Sequence, residues 1–206
     1  MSEKNKLKNI ESKDLRSHLH LKNFHYSKDK YPFKEVLEKL YGCDLDKLHL
    51  HLGIFNEFQR SNDQSTLAHK VFYSNFSRVV KPIYEDFIHN FLLKILCPHQ
   101  FYYQVIPTFR IGLPGNKFVG EYHKDSSYNH QSYELNFNLG ISNYIGQPAL
   151  KSESKPGSGN FVTVECPYGS IFSFDHIDCL HGSDINQTSN TMVSFDFRLA
   201  LKEIYF

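Results

Sequence analysis

Residues 191–201 read TMVSFDFRLAL, and this stretch decides the fold class. Apolar and polar residues alternate along it, which is the period of a β-strand and not of a helix. One face, apolar and suited to a core, consists of Val193, Phe195, Phe197 and Leu199. The other face consists of Met192, Ser194, Asp196 and Arg198. The stretch therefore predicts a strand with a core on one side and a largely polar interior on the other.

The same alternation recurs in four earlier runs that follow Pro98. These runs are FYYQVIPTFRI (101–111), SYELNFNLGIS (132–142), GNFVTVEC (159–166) and GSIFSFD (169–175). Glycine, proline, asparagine and serine separate them, as in LPGN, SKPGSGN and CPYG. Several short strands divided by turn residues are typical of an antiparallel sandwich or barrel.

Before Pro98 the pattern has the period of a helix. Residues 32–41, PFKEVLEKLY, carry apolar side chains at helical spacing, and residues 76–96 do so over a longer span. Pro82 should begin or kink the second helix, because proline lacks the N–H that a helix interior needs. The sequence thus predicts an α+β protein with a mainly helical layer over residues 1–98.

The length suits a single domain over residues 1–206, with a β core over residues 99–206. The chain has 23 basic and 22 acidic residues, so we expect neither nucleic acid nor a membrane as its partner. Its oligomeric state cannot be read from the sequence. The four cysteines form no CxxC pair and the charged start lacks an apolar signal region, which together favour a cytoplasmic protein.

The stretch EYHKDSSYNH (121–130) contains candidate metal ligands. His123 and Asp125 stand at i and i+2, so their side chains point to the same side of an extended chain. His181, in a loop expected between two strands, is the candidate third ligand, and His176 is its rival. Two histidines and one carboxylate on one face of an octahedron are the ligand set of non-haem iron(II) oxygenases, which leaves positions for a cosubstrate and O2.

Arg198 lies on the polar face of the final strand, and a buried arginine needs an anion. A dicarboxylate cosubstrate could supply that anion by chelating iron at one end and pairing with the guanidinium at the other. The simpler alternative is an ion pair of Arg198 with Asp196 or with a glutamate.

The HKD triplet, His181 and VSFDFR resemble iron(II)/2-oxoglutarate-dependent dioxygenases. Over residues 105–198, including SESKPGSGNF, the chain is similar to the StrG-type oxygenases of streptomycin biosynthesis, which are phytanoyl-dioxygenase-like. The resemblance implies a double-stranded β-helix (jelly roll, cupin-like) core. It also implies iron(II) on His123, Asp125 and His181, 2-oxoglutarate as cosubstrate, O2 as oxidant, and hydroxylation of a small sugar or natural-product substrate with release of succinate and CO2.

The chain departs from this family at the cosubstrate anchor. Many members place an Arg-x-Ser about ten residues after the second histidine, but here Met192 takes the place of the arginine while Ser194 keeps the serine. Arg198 is the first substitute and Arg110 the second. Asn136 alternates with Leu135 and Phe137, so we expect its amide to face the polar interior, where it is a further candidate contact for the carboxylate.

Other side chains near the motif are weaker candidates. His130 and Tyr128 could contact a substrate, and the Glu121 side chain could accept a hydrogen bond from the His123 ring. Two functions compete with the oxygenase. One is a cupin-like barrel that binds metal or sugar without redox chemistry. The other is zinc-assisted hydrolysis, for which the sequence offers no convincing general base.

Overall fold

A computed structural model describes residues 10–54, 63–117 and 121–205. Its strands within these ranges are β1 Lys22–His25, β2 Phe101–Tyr103, β3 Thr108–Gly112, β4 Glu134–Gly140, β5 Leu150–Glu153, β6 Phe161–Val164, β7 Ser170–Phe174, β8 His181–Gly182 and β9 Met192–Leu201. They form a six-stranded sheet in the order β1-β7-β4-β9-β2, in which β3 also pairs with β9, and a three-stranded sheet in the order β6-β5-β8. Every pairing is antiparallel, as the alternating runs predict.

Strand β9 is central to the larger sheet, where it pairs with β2, β3 and β4. Arg110 of β3 lies opposite Ser194, and Asn136 and Asn138 of β4 lie opposite Arg198 and Asp196. Residues opposite each other in a ladder point to the same face of the sheet. The register therefore gathers the polar side chains of three strands on one face.

Helices lie mainly in the first half of the chain. Those described are α1 Leu15–Leu19, α2 Phe33–Tyr41, α3 Leu48–Leu52, α4 Leu67–Val79, α5 Lys81–Phe87 and α6 Leu93–Leu96. Short 3-10 turns occupy Ser12–Asp14, Leu45–Lys47 and Asp125–Tyr128, and a π-helical turn, Ile88–Leu92, joins α5 to α6. Helix α2 confirms the first predicted helix. The second is divided at Pro82, which stands in the first turn of α5, where its missing N–H costs no hydrogen bond.

The helical layer packs on the apolar face of β9. The ring of Phe195 lies 5.7 Å from that of Phe33 in α2 and 5.4 Å from that of Phe72 in α4, measured between centroids. All three rings are buried, and one apolar cluster runs from Leu15 to Leu201. The apolar face predicted for β9 is thus the contact surface between sheet and helices.

Three details differ from the sequence-based expectation. Strand β1 lies in the region expected to be helical and pairs with β7 at the sheet edge. The run 101–111 is two strands, because Pro107 and the residues before it leave the sheet between β2 and β3. Strand β5 lies between the runs 132–142 and 159–166, where the alternating pattern predicts no strand. Among the helices described, none is long and apolar enough to cross a membrane.

Candidate metal centre

His123 and His181 face each other across an isolated antiparallel bridge. Each donates its backbone N–H to the carbonyl oxygen of the other, with both N–O distances at 3.0 Å. Residues paired in this way present their side chains on the same face, and the two ring centroids lie 4.5 Å apart. His181 belongs to β8, so the expectation that it lies in a loop is wrong.

The orientation of both imidazoles is fixed by backbone carbonyls two residues earlier. Nδ1 of His123 lies 2.8 Å from the Glu121 oxygen, and Nδ1 of His181 lies 3.0 Å from the Cys179 oxygen. A carbonyl only accepts, so Nδ1 of each ring carries the proton and donates it. The lone pair of each neutral ring is therefore on Nε2, the nitrogen that faces the third candidate ligand.

Asp125 completes the group. Lys124 is extended, with φ −114° and ψ 138°, so the predicted same-side arrangement of His123 and Asp125 is present locally. Oδ1 of Asp125 lies 3.3 Å from Nε2 of His123 and 3.6 Å from Nε2 of His181. The three donor atoms lie within 4.8 Å of one another, a separation at which one cation can bind all three.

The other carboxylate oxygen of Asp125 accepts a hydrogen bond from Arg198. Nη2 of Arg198 lies 2.8 Å from Oδ2 of Asp125, while its Nε lies 3.6 Å from Oε2 of Glu134. Burial opposes the charge on Asp125, but the hydrogen bonds from His123 and Arg198 outweigh it and hold the pKa of Asp125 well below its ordinary value. Asp125 is therefore anionic at neutral pH.

The two histidines differ in their proton affinity. The hydrogen bond with Asp125 raises the pKa of His123, whereas burial lowers the pKa of His181. A metal ion requires both rings to be unprotonated at Nε2. Burial therefore favours this state at His181, whereas the neighbouring Asp125 favours a proton on His123.

The histidine segments are also fastened together outside the centre. The ring of Tyr122 lies on Gly182, where an added Cβ would stand 2.8 Å from the nearest ring carbon. The hydroxyl of Tyr122 donates to Oδ1 of Asp184 at 3.3 Å. Gly182 is thus needed for the close approach of the two chain segments.

A pocket of about 400 Å³, partly open to solvent, adjoins the three candidate ligands. Its walls are Arg110, His123, Asp125, Asn136, Asn138, Tyr144, Leu150, Phe174, His181, Asp196 and Arg198. Arg110 contacts Asp196 at 3.3 Å and Asp63 at 3.2 Å. Within the described ranges, the side-chain oxygens of Asn136 and Asn138 have no hydrogen-bond partner. Such buried polar atoms indicate a binding site, because an unpaired polar group is costly to bury.

The structure brings together most of the predicted site. The three candidate ligands, both arginines and Asn136 line the pocket, whereas Ser194 is buried on the same strand face. Arg198 pairs with Asp125 and approaches Glu134, so the alternative of a pair with a glutamate is partly correct, and Asp196 pairs with Arg110 instead.

The remaining candidates lie at the edge of the pocket or away from it. The exposed Tyr128 ring lies 5.4 Å from that of His123, and His130 contacts Glu134 at 3.0 Å. His176 is buried and does not belong to the ligand group. Glu121 orients His123 through its backbone carbonyl and not through its carboxylate, which pairs with Lys117.

Sequence reasoning missed several functional neighbours. Asn138 alternates with Asn136 in ELNFNL and could have been placed in the pocket by the same argument. Glu134, which approaches Arg198, gave no signal, because its role depends on the pairing of β4 with β9. Phe174 and Leu150 line the pocket through pairings that local periodicity does not reveal.

Two solved structures have the same fold. The apo form of the non-heme monooxygenase ThoJ is 11% identical, with a TM-score of 0.50, over 92% of this chain and 77% of that one. A prolyl hydroxylase in complex with a hypoxia inducible factor peptide, from Trichoplax adhaerens, is 8% identical, with a TM-score of 0.50, over 98% of this chain and 91% of that one. At these identities the likeness concerns the fold alone. No protein-family model matches the chain.

The fold is thus one found in a non-heme monooxygenase and a prolyl hydroxylase, and the His–Asp–His group is a candidate metal site within it. The chain is 32% identical over 146 residues to the streptomycin biosynthesis protein StrG of Streptomyces griseus, which is 71% of this chain and 68% of that protein. The chain belongs to the StrG family, and the resemblance read from the sequence is confirmed.

Proposed function

We propose that this chain is an iron(II)/2-oxoglutarate-dependent dioxygenase that hydroxylates a small sugar or natural-product molecule. The proposal rests on one observation, which is that the three candidate donor atoms point toward a common position. Two histidines, both fixed with Nδ1 protonated, turn Nε2 toward one oxygen of a charged, buried carboxylate. That donor set suits iron(II), and it occupies one side of the ion only.

The surrounding architecture supports the same function. We propose that the two antiparallel sheets are the halves of a double-stranded β-helix, or jelly roll, and that the helices complete a single domain over residues 1–206. In this arrangement the centre lies between the sheets, with His181 on β8 and the pocket arginines on β3 and β9. A site between packed sheets excludes water from most directions, which protects an oxidising reaction from side reactions.

Iron(II) would be held by Nε2 of His123, Nε2 of His181 and Oδ1 of Asp125. With 2-oxoglutarate bound beside it, the metal would allow O2 to oxidise two molecules. 2-Oxoglutarate would become succinate and CO2, and a substrate C–H would become C–OH. Arg198 keeps Oδ2 of Asp125 occupied, which leaves Oδ1 for the metal. The Glu121 and Cys179 carbonyls keep both rings in the ligating tautomer.

We assign the distal carboxylate of 2-oxoglutarate to Arg110, in reverse of the order that the sequence suggested for the two arginines. Nη2 and Nε of Arg198 already face Asp125 and Glu134. The carboxylate contacts of Arg110, at 3.2 and 3.3 Å, are both longer than the 2.8 Å hydrogen bond from Arg198 to Asp125, and Arg110 lies opposite Ser194 in the sheet. The Ser194 hydroxyl has no hydrogen-bond partner among the described residues, so a carboxylate held by Arg110 could accept from it.

The substrate class rests on the pocket and on the relative. The pocket beside the three candidate ligands is partly open to solvent, so a cosubstrate and a small molecule could reach the metal from that side. The relative is a streptomycin biosynthesis protein by its name, which favours a natural-product intermediate. We propose Tyr128, and at greater distance His130, as substrate contacts near the opening. Residues 55–62 lie outside the described residues.

Anaerobic reconstitution tests this function. Iron(II) with 2-oxoglutarate should give a weak visible charge-transfer band, which His123→Ala should abolish. Arg110→Met should lower the affinity for 2-oxoglutarate while iron(II) still binds. If Arg198→Met changes the 2-oxoglutarate concentration needed for the band and Arg110→Met does not, then Arg198 and not Arg110 binds the distal carboxylate. Succinate release with a panel of sugars, amino acids and nucleotides then narrows the substrate.

The second candidate is a cupin-like barrel that binds a metal or sugar without redox chemistry. It would use the same three ligands but would have no need of Arg110 and the unpaired Ser194 hydroxyl beside it. Metal binding without any charge-transfer band or succinate release would favour this candidate over the dioxygenase.

A further inference from the structure

The segment SKPGSGN (154–160) is folded around the carboxylate of Glu153, the last residue of β5. Glu153 is 4% exposed, and its carboxylate accepts three backbone hydrogen bonds. Gly157 donates at 3.1 Å, Gly159 at 2.9 Å and Leu180 at 2.8 Å. These bonds lower the pKa of Glu153, so the carboxylate is charged at neutral pH.

Two glycines allow the loop to reach the carboxylate. Gly157 has φ +70° and Gly159 has φ +64°, the left-handed region that costs other residues conformational energy. An added Cβ at Gly159 would meet nothing within 4 Å, so the backbone conformation, not space, requires glycine there. The loop is therefore built to turn its N–H groups inward onto one side chain.

Of the three donors to the Glu153 carboxylate, Leu180 lies outside this loop. Leu180 and Glu153 are joined by two hydrogen bonds. The backbone N–H of Glu153 donates to the Leu180 oxygen at 2.9 Å, while the carboxylate accepts the Leu180 N–H. Leu180 stands between Cys179, whose carbonyl orients the His181 ring, and His181 itself. Rotation of the peptide between Cys179 and Leu180 would turn the Cys179 carbonyl away from the His181 ring. Rotation of the peptide between Leu180 and His181 would turn the histidine away from Asp125.

We propose that Glu153 is a positioning residue for the metal centre, which holds the 179–181 backbone so that Nε2 of His181 points at the metal. The inference rests on the proposed function, because it takes His181 as a ligand. Glu153 does not touch the metal, and it acts through Leu180. Partners that orient metal ligands typically contribute 10–100-fold to metal affinity.

Glu153→Gln tests the proposal with little change of shape. An amide has one acceptor oxygen, so its NH2 group must face the Gly159 N–H or the other two donors. We expect Mn(II), used alone as a redox-inert probe, to bind roughly 10–100-fold more weakly, as measured by calorimetry. Glu165→Gln is the matched control, because Glu165 also accepts a glycine N–H, that of Gly146, but among the described residues it has no hydrogen bond or ion pair with the 179–181 segment.

Equal Mn(II) affinity in Glu153→Gln and the wild-type protein would overturn the proposal, as would an equal loss in the Glu165→Gln control. Should Glu153→Gln fail to fold, Gly159→Ala loosens the same loop through backbone strain and should weaken Mn(II) binding in the same direction.

A second measurement separates this inference from the proposed function. In the metal-free protein, 15N chemical shifts of the His181 ring should report Nδ1–H in the wild type and a mixture of tautomers in Glu153→Gln. Failure of the wild type to bind Mn(II) would contradict the function. An unchanged His181 ring in the variant would contradict the role of Glu153.

Discussion

The two faces of β9 differ in what they require from their side chains. The outer face is the apolar face that packs on the helices. Its Phe195 and Phe197 side chains are fully buried among apolar side chains and have no polar group that needs a hydrogen bond. On the inner face, Ser194 and Asp196 are buried with oxygen atoms that lack a hydrogen-bond partner among the described residues. Strand β9 thus carries side chains that suit a packed core on its outer face, and unpaired polar side chains that are rare in a packed core on its inner face. The inner face is therefore the functional one, since natural proteins break the rules of packing mainly at such sites.

The largest expected effect belongs to the outer face. Phe195→Ala should lower the free energy of unfolding by about 3–5 kcal/mol, because it removes a buried ring between α2, α4 and the sheet. Urea denaturation measures this loss. Phe161→Ala on β6, where the ring is 38% exposed, is the control and should cost much less. Equal losses in the two variants would mean that the helical layer does not depend on the β9 contact.

The next effect belongs to the inner face. Arg198→Met removes the partner of Oδ2 of Asp125 and with it one of the hydrogen bonds that lower the pKa of that carboxylate. Because a metal needs the deprotonated ligand, we expect Mn(II) affinity to fall roughly 10–100-fold, and more at acidic pH than at neutral pH. Titration calorimetry at two pH values measures this.

Arg110→Met is the companion variant for that measurement. Arg110 pairs with Asp196 and Asp63 and not with Asp125, so Mn(II) affinity should stay near the wild-type value. If the two arginine variants bind Mn(II) equally well, Arg198 has no role in orienting the ligand carboxylate.

The sequence predicted the parts of this comparison that depend on local periodicity. Alternation was enough to divide β9 into its two faces, and HxD spacing was enough to place His123 beside Asp125. The family resemblance supplied the chemistry, which spacing alone left open between an oxygenase, a binding barrel and a zinc hydrolase. The single domain over residues 1–206 and the cytoplasmic location stay predictions.

What the sequence could not supply depends on contacts between distant segments. His181 rather than His176 joins the centre because of its bridge to His123, 58 residues earlier, and no local pattern encodes that pairing. Strand β8 has only two residues, too few for any period to show. The backbone carbonyl of Glu121, which orients His123, carries no sequence signal, because every residue has one.

A smaller effect concerns pH and the Glu153 loop. Backbone N–H groups of Leu180 and Gly159 lower the pKa of Glu153 below its ordinary value in the folded protein. The carboxylate therefore stabilises the fold fully above the unfolded pKa, and this stabilisation is lost as pH falls through the lower folded value. The difference in Tm between wild type and Glu153→Gln should be constant from pH 6 to 8 and narrow below about pH 4.5. A gap that widens on acidification would contradict the charge of Glu153 in the fold.

The smallest effect compares two serines that are both fully buried. The Ser170 hydroxyl donates to the Pro167 oxygen at 2.6 Å, whereas the Ser194 hydroxyl has no partner among the described residues. Ser170→Ala should therefore destabilise the protein by about 1 kcal/mol, while Ser194→Ala should change its stability by less than that or raise it.

We expect 2-oxoglutarate to reverse the order of the two serine variants, so that Ser194→Ala has the larger effect. If the Ser194 hydroxyl donates to the distal carboxylate beside Arg110, then Ser194→Ala should reduce the rise in Tm that 2-oxoglutarate gives with Mn(II), and Ser170→Ala should not. Differential scanning fluorimetry of both variants, with and without the cosubstrate, measures the two effects in one experiment. An undiminished 2-oxoglutarate shift in Ser194→Ala would leave the unpaired hydroxyl to the substrate or to water, and would remove the serine from the proposed anchor.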